Sequence, residues 1–271
     1  MPEMKARPVL PKMIGEKITI RCPNPDSALY PRRDWFVIEK LGERPSPATI
    51  EDFDDGMGPA FTAGKYLCRL AGAGNENKLA FMRIYKQIPL VDTELDSSSV
   101  RKAQACSLHD HGHIELDVLK HLTESGCTAT PRLLGYRIGK QDANDLVPGG
   151  YIMHLVWEKV PGDPLDIDEF WSLPYDKREF IRDKFKKAYT EVLKFGYEPI
   201  LSSPSKIILD KTTGNIKISG FRRAARIDPD SRWEDYNFAM FLLVLIDPTR
   251  DKYHPIMAED IKHTESNGWR W

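Results

Sequence analysis

Strand-like and helix-like patterning are segregated along this chain, and that segregation constrains its fold more than any other feature. Lys65–Leu70 and Leu79–Lys86 read as strands joined by Ala71-Gly72-Ala73-Gly74-Asn75, the clearest hairpin in the sequence. Further β-prone stretches fall at Lys17–Cys22, Trp35–Glu39, Pro131–Gly139 and Gly150–Val160. One helical pattern interrupts them, from about His109 to Ser125. Its Ile114, Val118, Leu119 and Leu122 share a face, and Gly126 suits its C-cap. After Pro161-Gly162 the pattern changes. A long helix is predicted from about Tyr175 to Phe195, with Pro174 at its first turn and Phe180, Phe185, Tyr189 and Val192 as its stripe. A second hairpin joins Ile207–Asp210 to Ile216–Ser219 through Thr213-Gly214-Asn215. The last element reads as a helix over Arg232–Ile246, behind the capping-box sequence Ser231-Arg232-Trp233-Glu234. This order predicts an α+β fold rather than a repeating βαβ sheet.

A chain of 271 residues has room for one good core or for two lobes around a cleft. Its 39 Lys and Arg against 40 Asp and Glu give a net charge of −1, so the chain as a whole carries no footprint for nucleic acid or a membrane surface. The longest apolar run, Phe238 to Ile246, is far short of the roughly 20 residues a membrane span needs and reads as a buried helix. Met1 to Met13 holds charges and three prolines without an apolar core, so no secretory leader is expected. Cys22, Cys68, Cys106 and Cys127 lack CxxC spacing and read as reduced thiols of a cytoplasmic protein. Residues 1–34 form a proline-rich arm, and residues 42–64 a long acidic loop containing Glu51, Asp52, Asp54 and Asp55.

Three local features carry two readings each. His109-Asp110-His111-Gly112-His113 would put His109 and His113 on one helix face, a metal-ligand spacing, but Gly112 weakens a helix there and no further ligand is marked out, so a solvated helix start is the better account. Lys184, Lys186 and Lys187 form either a solvated face or a contact for an acidic partner or RNA. Trp269-Arg270-Trp271 should be tied down or should bind something, since aromatic ends are seldom left loose.

The order of elements over roughly residues 35–246 resembles the protein-kinase and aminoglycoside-phosphotransferase superfamily. With Val147-Pro148-Gly149-Gly150-Tyr151-Ile152 and Trp157-Glu158-Lys159-Val160-Pro161-Gly162 it looks closest to divergent fungal kinase-like proteins. The resemblance implies a bilobal fold, with a β-rich lobe over 35–160 and a short, mainly helical lobe over 161–271. It also implies that Arg83 stands at the phosphate-gripping lysine and Glu115 at its helix partner, with Glu158 at the crossover beside a ligand cleft.

The chain departs from the family at the catalytic segment H-x-D-x-x-x-x-N. Aligning the apolar strand on Ile207-Ile208-Leu209-Asp210 puts Pro199 at the His, Leu201 at the proton-accepting Asp and Lys206 at the metal-holding Asn. Ser219-Gly220-Phe221-Arg222 then puts Gly220 at the second metal ligand. The resemblance therefore implies a catalytically degenerate member, a pseudokinase acting as a ligand-binding or regulatory module for a protein or an anionic ligand. Asp210 and Asp228 are the nearest acids that would rescue catalysis. Lys206, Arg222 and Arg223 with Arg83 would hold an anion, a nucleotide included, without a divalent ion; the plainer reading is that Arg222 and Arg223 face water, since strand alternation cannot turn both into the cleft. An enzyme reusing the cleft on a nucleotide- or RNA-linked substrate is the alternative, and a small-molecule phosphotransferase the weaker one.

Overall fold

The computed structural model describes residues 9–24, 27–109, 111–200, 202–228, 230–246 and 269–271. They form two compact units, Met1–His113 with Leu133–Lys159, and Ile114–Arg132 with Val160–Trp271. Residues 114–132 thus belong with the C-terminal stretch although the chain returns to the first unit after them. Among the described residues no helix is long and apolar enough to cross a membrane.

The first unit is a six-stranded antiparallel sheet. Its strands are β1 (Lys17–Ile20), β2 (Arg33–Ser46), β3 (Phe61–Leu70), β4 (Leu79–Gln87), β5 (Leu133–Lys140) and β6 (Tyr151–Glu158), in the order β1-β2-β3-β4-β6-β5. Strand alternation builds the core on one face: Ala80, Met82 and Ile84 of β4 pack with Tyr66 and Cys68 of β3, Trp35 and Val37 of β2, and Leu10. Glu43 fixes the segment before β1 to this sheet. Its carboxylate accepts from Lys40 Nζ at 2.6 Å, Thr62 Oγ1 at 2.7 Å and the Val9 amide at 2.9 Å. Burial acts to raise that carboxyl, but these bonds outweigh it and hold it below its ordinary value.

The second unit is helical with short strands. It contains α3 (Ile114–Glu124), β7 (Asp163–Pro164), α4 (Ile167–Ser172), α5 (Tyr175–Leu193), β8 (Tyr197–Pro199), β9 (Ile207–Asp210), β10 (Asn215–Ile218), β11 (Ala224–Arg226) and α6 (Tyr236–Met240); the shorter helices α1 (Ile50–Asp54) and α2 (Ser98–Ala103) lie in the first unit. Its core gathers rings around Phe185 of α5, with Phe241 at 4.8 Å and Tyr189 at 5.4 Å between centroids. The segment after α3 is held by Glu191 of α5, which accepts from the Thr128 amide at 2.5 Å, while the Ile218 amide donates to Ala129 at 2.7 Å.

Several expectations need correction. The stretch 42–64 is not one loop: β2 runs on to Ser46 and pairs with β3 as far as Ser46↔Phe61, followed by α1 behind the capping box of Thr49. Gly42 and Pro45 hid this strand, and both stand beyond the part of β2 that pairs with β1, so the missing proline N–H costs no ladder bond there. The helix expected over Arg232–Ile246 is only the five residues of α6. It ends in a Schellman motif: Leu242 takes the left-handed region at φ +58°, its amide donates to the Ala239 carbonyl at 2.9 Å, and the Leu243 amide donates to that of Phe238 at 2.9 Å. Beyond the stop, Trp171 Nε1 donates to the Leu242 carbonyl at 3.0 Å, Arg182 Nε to that of Leu243 at 2.8 Å, and the Arg270 amide to that of Leu245 at 2.8 Å. The Leu245–Arg270 bridge and the Arg178 bond to the Trp271 carbonyl, at 3.0 Å, tie down residues 269–271. Phe180 leaves the expected stripe of α5; it is exposed and lies against Gly214, and Ile181 is buried instead.

Candidate functional site

Two short ladders in the second unit build the most chemically suggestive site. β9 pairs with β10 through Ile207↔Ile218, and β8 pairs with β11 through Pro199↔Ala224. The link from β8 to β9 and the link from β10 to β11 are therefore held side by side at both ends. At one end the Ile200 amide donates to the Arg223 carbonyl at 3.1 Å, and at the other the Ser219 amide donates to the Lys206 carbonyl at 2.8 Å. Ser219 Oγ donates to the same carbonyl at 3.1 Å.

Between these anchors Lys206 crosses Gly220. Gly220 has φ of +91°, a left-handed backbone that favours glycine. A Cβ built on it would lie 2.8 Å from Lys206 Cε and closer still to Cδ. The lysine stem fills the volume that any side chain at residue 220 would need. A carboxylate at residue 220 is incompatible with the lysine where it stands, and the ammonium brings positive charge into the same neighbourhood. Arg222 is half-buried beside the buried Phe221, whereas Arg223 is exposed. Leu201 lies outside the described residues.

The nearby acids are engaged in turns. Asp210 accepts from Thr213 Oγ1 at 2.6 Å and from the Thr212 amide at 2.9 Å, and the Thr213 bond leads in holding its carboxyl below the ordinary range. Asp228 is exposed and accepts from the Asp230 amide at 2.7 Å. Glu198, on β8, was not singled out from sequence. It is half-buried, and burial pushes its carboxyl up. A lone acid between Tyr197 and Pro199 gave no pattern to read; only the β8–β11 pairing accounts for its partial burial.

In the first unit Arg83 sits mid-strand in β4, opposite Lys65 of β3 and Leu155 of β6. Its guanidinium carbon lies 5.2 Å from the Trp157 ring centroid, and Lys65 Nζ lies 4.0 Å from that of Phe81. Two cations thus share a sheet face with two rings, whose π-faces offset part of the like-charge repulsion. Lys65 was missed, though the hairpin register already puts it across from Arg83. Glu158 pairs with Ala80, so strand alternation sets it on the sheet face opposite to Arg83. Glu115 is buried in the first turn of α3 and belongs to the second unit.

The helical premise behind the histidine cluster fails, because α3 starts at Ile114. His113 instead stacks on Tyr85 at 3.8 Å, with Nε2 3.2 Å from Tyr151 Oη, and the Cys106 thiol donates to the Gln104 carbonyl. Asp110 lies outside the described residues.

No family model matches the chain, and no curated protein matches it either. Among solved structures, the kinase PK-1 of the Cydia pomonella granulovirus aligns with a TM-score of 0.41 at 14% sequence identity. The alignment covers 74% of this chain and 55% of that one, so the chain spans little more than half the length of that kinase.

Proposed function

We propose that this chain is a kinase-like protein in which the phosphoryl-transfer centre has been dismantled, and that it works by binding an anionic ligand or a partner rather than by catalysis. The observation that carries the reading is the Lys206–Gly220 contact. Phosphoryl transfer in a kinase-like centre needs acidic and amide side chains around a divalent ion that bridges the phosphates. In the register read from sequence, two of those ligand positions are residues 206 and 220. One is a lysine, the other has no side chain, and the stem of the first fills the space of the second. A cation fixed there takes over the charge-neutralising part of the metal's work and none of its chemistry. The aromatic-flanked Arg83 and Lys65 fit the same reading, since both favour an anion.

The experiment is thermal melting of the purified chain with ATP, with and without magnesium, alongside an assay of ATP turnover. Any nucleotide-induced shift should be the same with and without magnesium, and turnover should stay at background. Magnesium-dependent turnover that disappears in Asp210→Asn or Asp228→Asn would overturn the proposal.

A further inference from the structure

Away from the Lys206–Gly220 contact, the second unit holds a cavity of about 230 Å³ bounded by β7, α4, α5 and β9. Its floor is apolar: Leu165, Phe170, Ile181 and Leu209 are each no more than 8% exposed. Its rim is charged and exposed, with Asp163, Asp166 and Glu169 set against Lys211, three carboxylates to one ammonium and hence a net charge of −2. Glu169 engages Lys211 through both oxygens, at 2.6 and 2.8 Å. The negative excess therefore rests on Asp163 and Asp166. Asp166 is positioned by the helix it caps, accepting from the Glu169 amide at 2.9 Å.

We infer that this cavity is a docking site for a partner protein's peptide segment in which an apolar side chain is flanked by lysine or arginine. Size argues for a single anchoring side chain, because the cavity is smaller than the roughly 300–1,000 Å³ sites that enclose drug-sized ligands. Charge argues for the flanks. An apolar floor ringed by net negative charge rewards an anchor that brings its own cations and penalises an acidic segment. The helix N-terminus of α4 would otherwise favour an anion, but Asp166 already occupies it. The inference does not depend on the state of the phosphoryl-transfer centre, and nucleotide enters nowhere in its test.

The test uses fluorescence anisotropy with the whole chain and three labelled nine-residue peptides on an alanine background: one leucine flanked by two lysines on each side, the same peptide with serine for leucine, and the same with glutamates for lysines. The first peptide should bind, and each of the other two should bind at least tenfold more weakly. The double variant Asp163→Lys/Glu169→Lys, both exposed positions, should lose at least tenfold in affinity for the first peptide. Leu173→Trp, which fills the cavity from its half-buried edge, should do the same, each variant being checked for an unchanged melting temperature. If Leu173→Trp melts early, the charge-reversal pair decides alone. Equal binding of the leucine and serine peptides, unchanged affinity in the charge-reversed variant, or no binding of the first peptide would overturn the inference.

Discussion

His154 sits on β6, buried, with the Arg137 guanidinium nitrogen 3.3 Å from its Nε2. Burial first, and the neighbouring cation second, pull its pKa down to about 3. In the unfolded chain a histidine titrates near 6.5. Between those values the unfolded state holds a proton that the native state refuses. The stability contributed by neutral His154 is complete above about pH 6.5 and is lost as pH falls toward 3. From pH 7 to pH 5 the loss should be about 2 kcal/mol by urea denaturation, and His154→Asn should flatten that part of the profile. Gly220 allows a second measurement at this scale. Gly220→Ala should cost about 1–3 kcal/mol for its left-handed backbone alone, plus the collision with Lys206. Lys206→Ala should abolish the second part, so a double-mutant cycle in urea should show positive coupling between the two sites. Additive costs would mean that the lysine stem does not press on residue 220.

At the scale of elements, Gly162 closes the turn before β7. Its φ is +97°, and a Cβ there would come within 2.6 Å of the Asp210 amide nitrogen and the Leu209 carbonyl carbon. Backbone cannot swing aside as a lysine stem can. Gly162→Ala should therefore cost more than Gly220→Ala, about 2–5 kcal/mol when strain and overpacking are combined, again by urea denaturation. The elements that sequence reading located share one property: local chemistry decides them. The hairpin across Ala71–Asn75, the turn at Gly214 and the helix starting at Tyr175 all carry their signals within a few residues. The short helices α1 and α4 carry local caps at Thr49 and Asp166 and were passed over only for their brevity, whereas other missed elements are decided from afar. β7, β8 and β11 are two or three residues long and exist because a partner strand lies beside them. α6 stops where Leu242 turns left-handed, with no glycine in the sequence to announce it, and Trp171, Arg182 and Arg270 from distant segments bind the carbonyls beyond. The candidate site divides the same way. Lys206 and Gly220 were legible as residues, but the crossing of one over the other required the two ladders.

For the whole molecule, a net charge of −1 and an isoelectric point near 6.7 leave little self-repulsion at neutral pH. Light scattering at low ionic strength should show self-association rising toward pH 6.7 and falling on either side. A minimum there instead would mean that specific contacts, not net charge, govern solubility. The two units are also interleaved along the chain, since α3 and the residues up to Arg132 belong with a stretch that resumes only at Val160. Synthesis from the N-terminus delivers α3 before Glu191 and Ile218, the groups that later hold its trailing segment. The ribosome thus releases an amphipathic helix whose companions are still unmade, while the strands following it leave to finish a different sheet. Severing the gene at residue 160 would strand that helix on the wrong fragment, so neither half is a natural unit of expression.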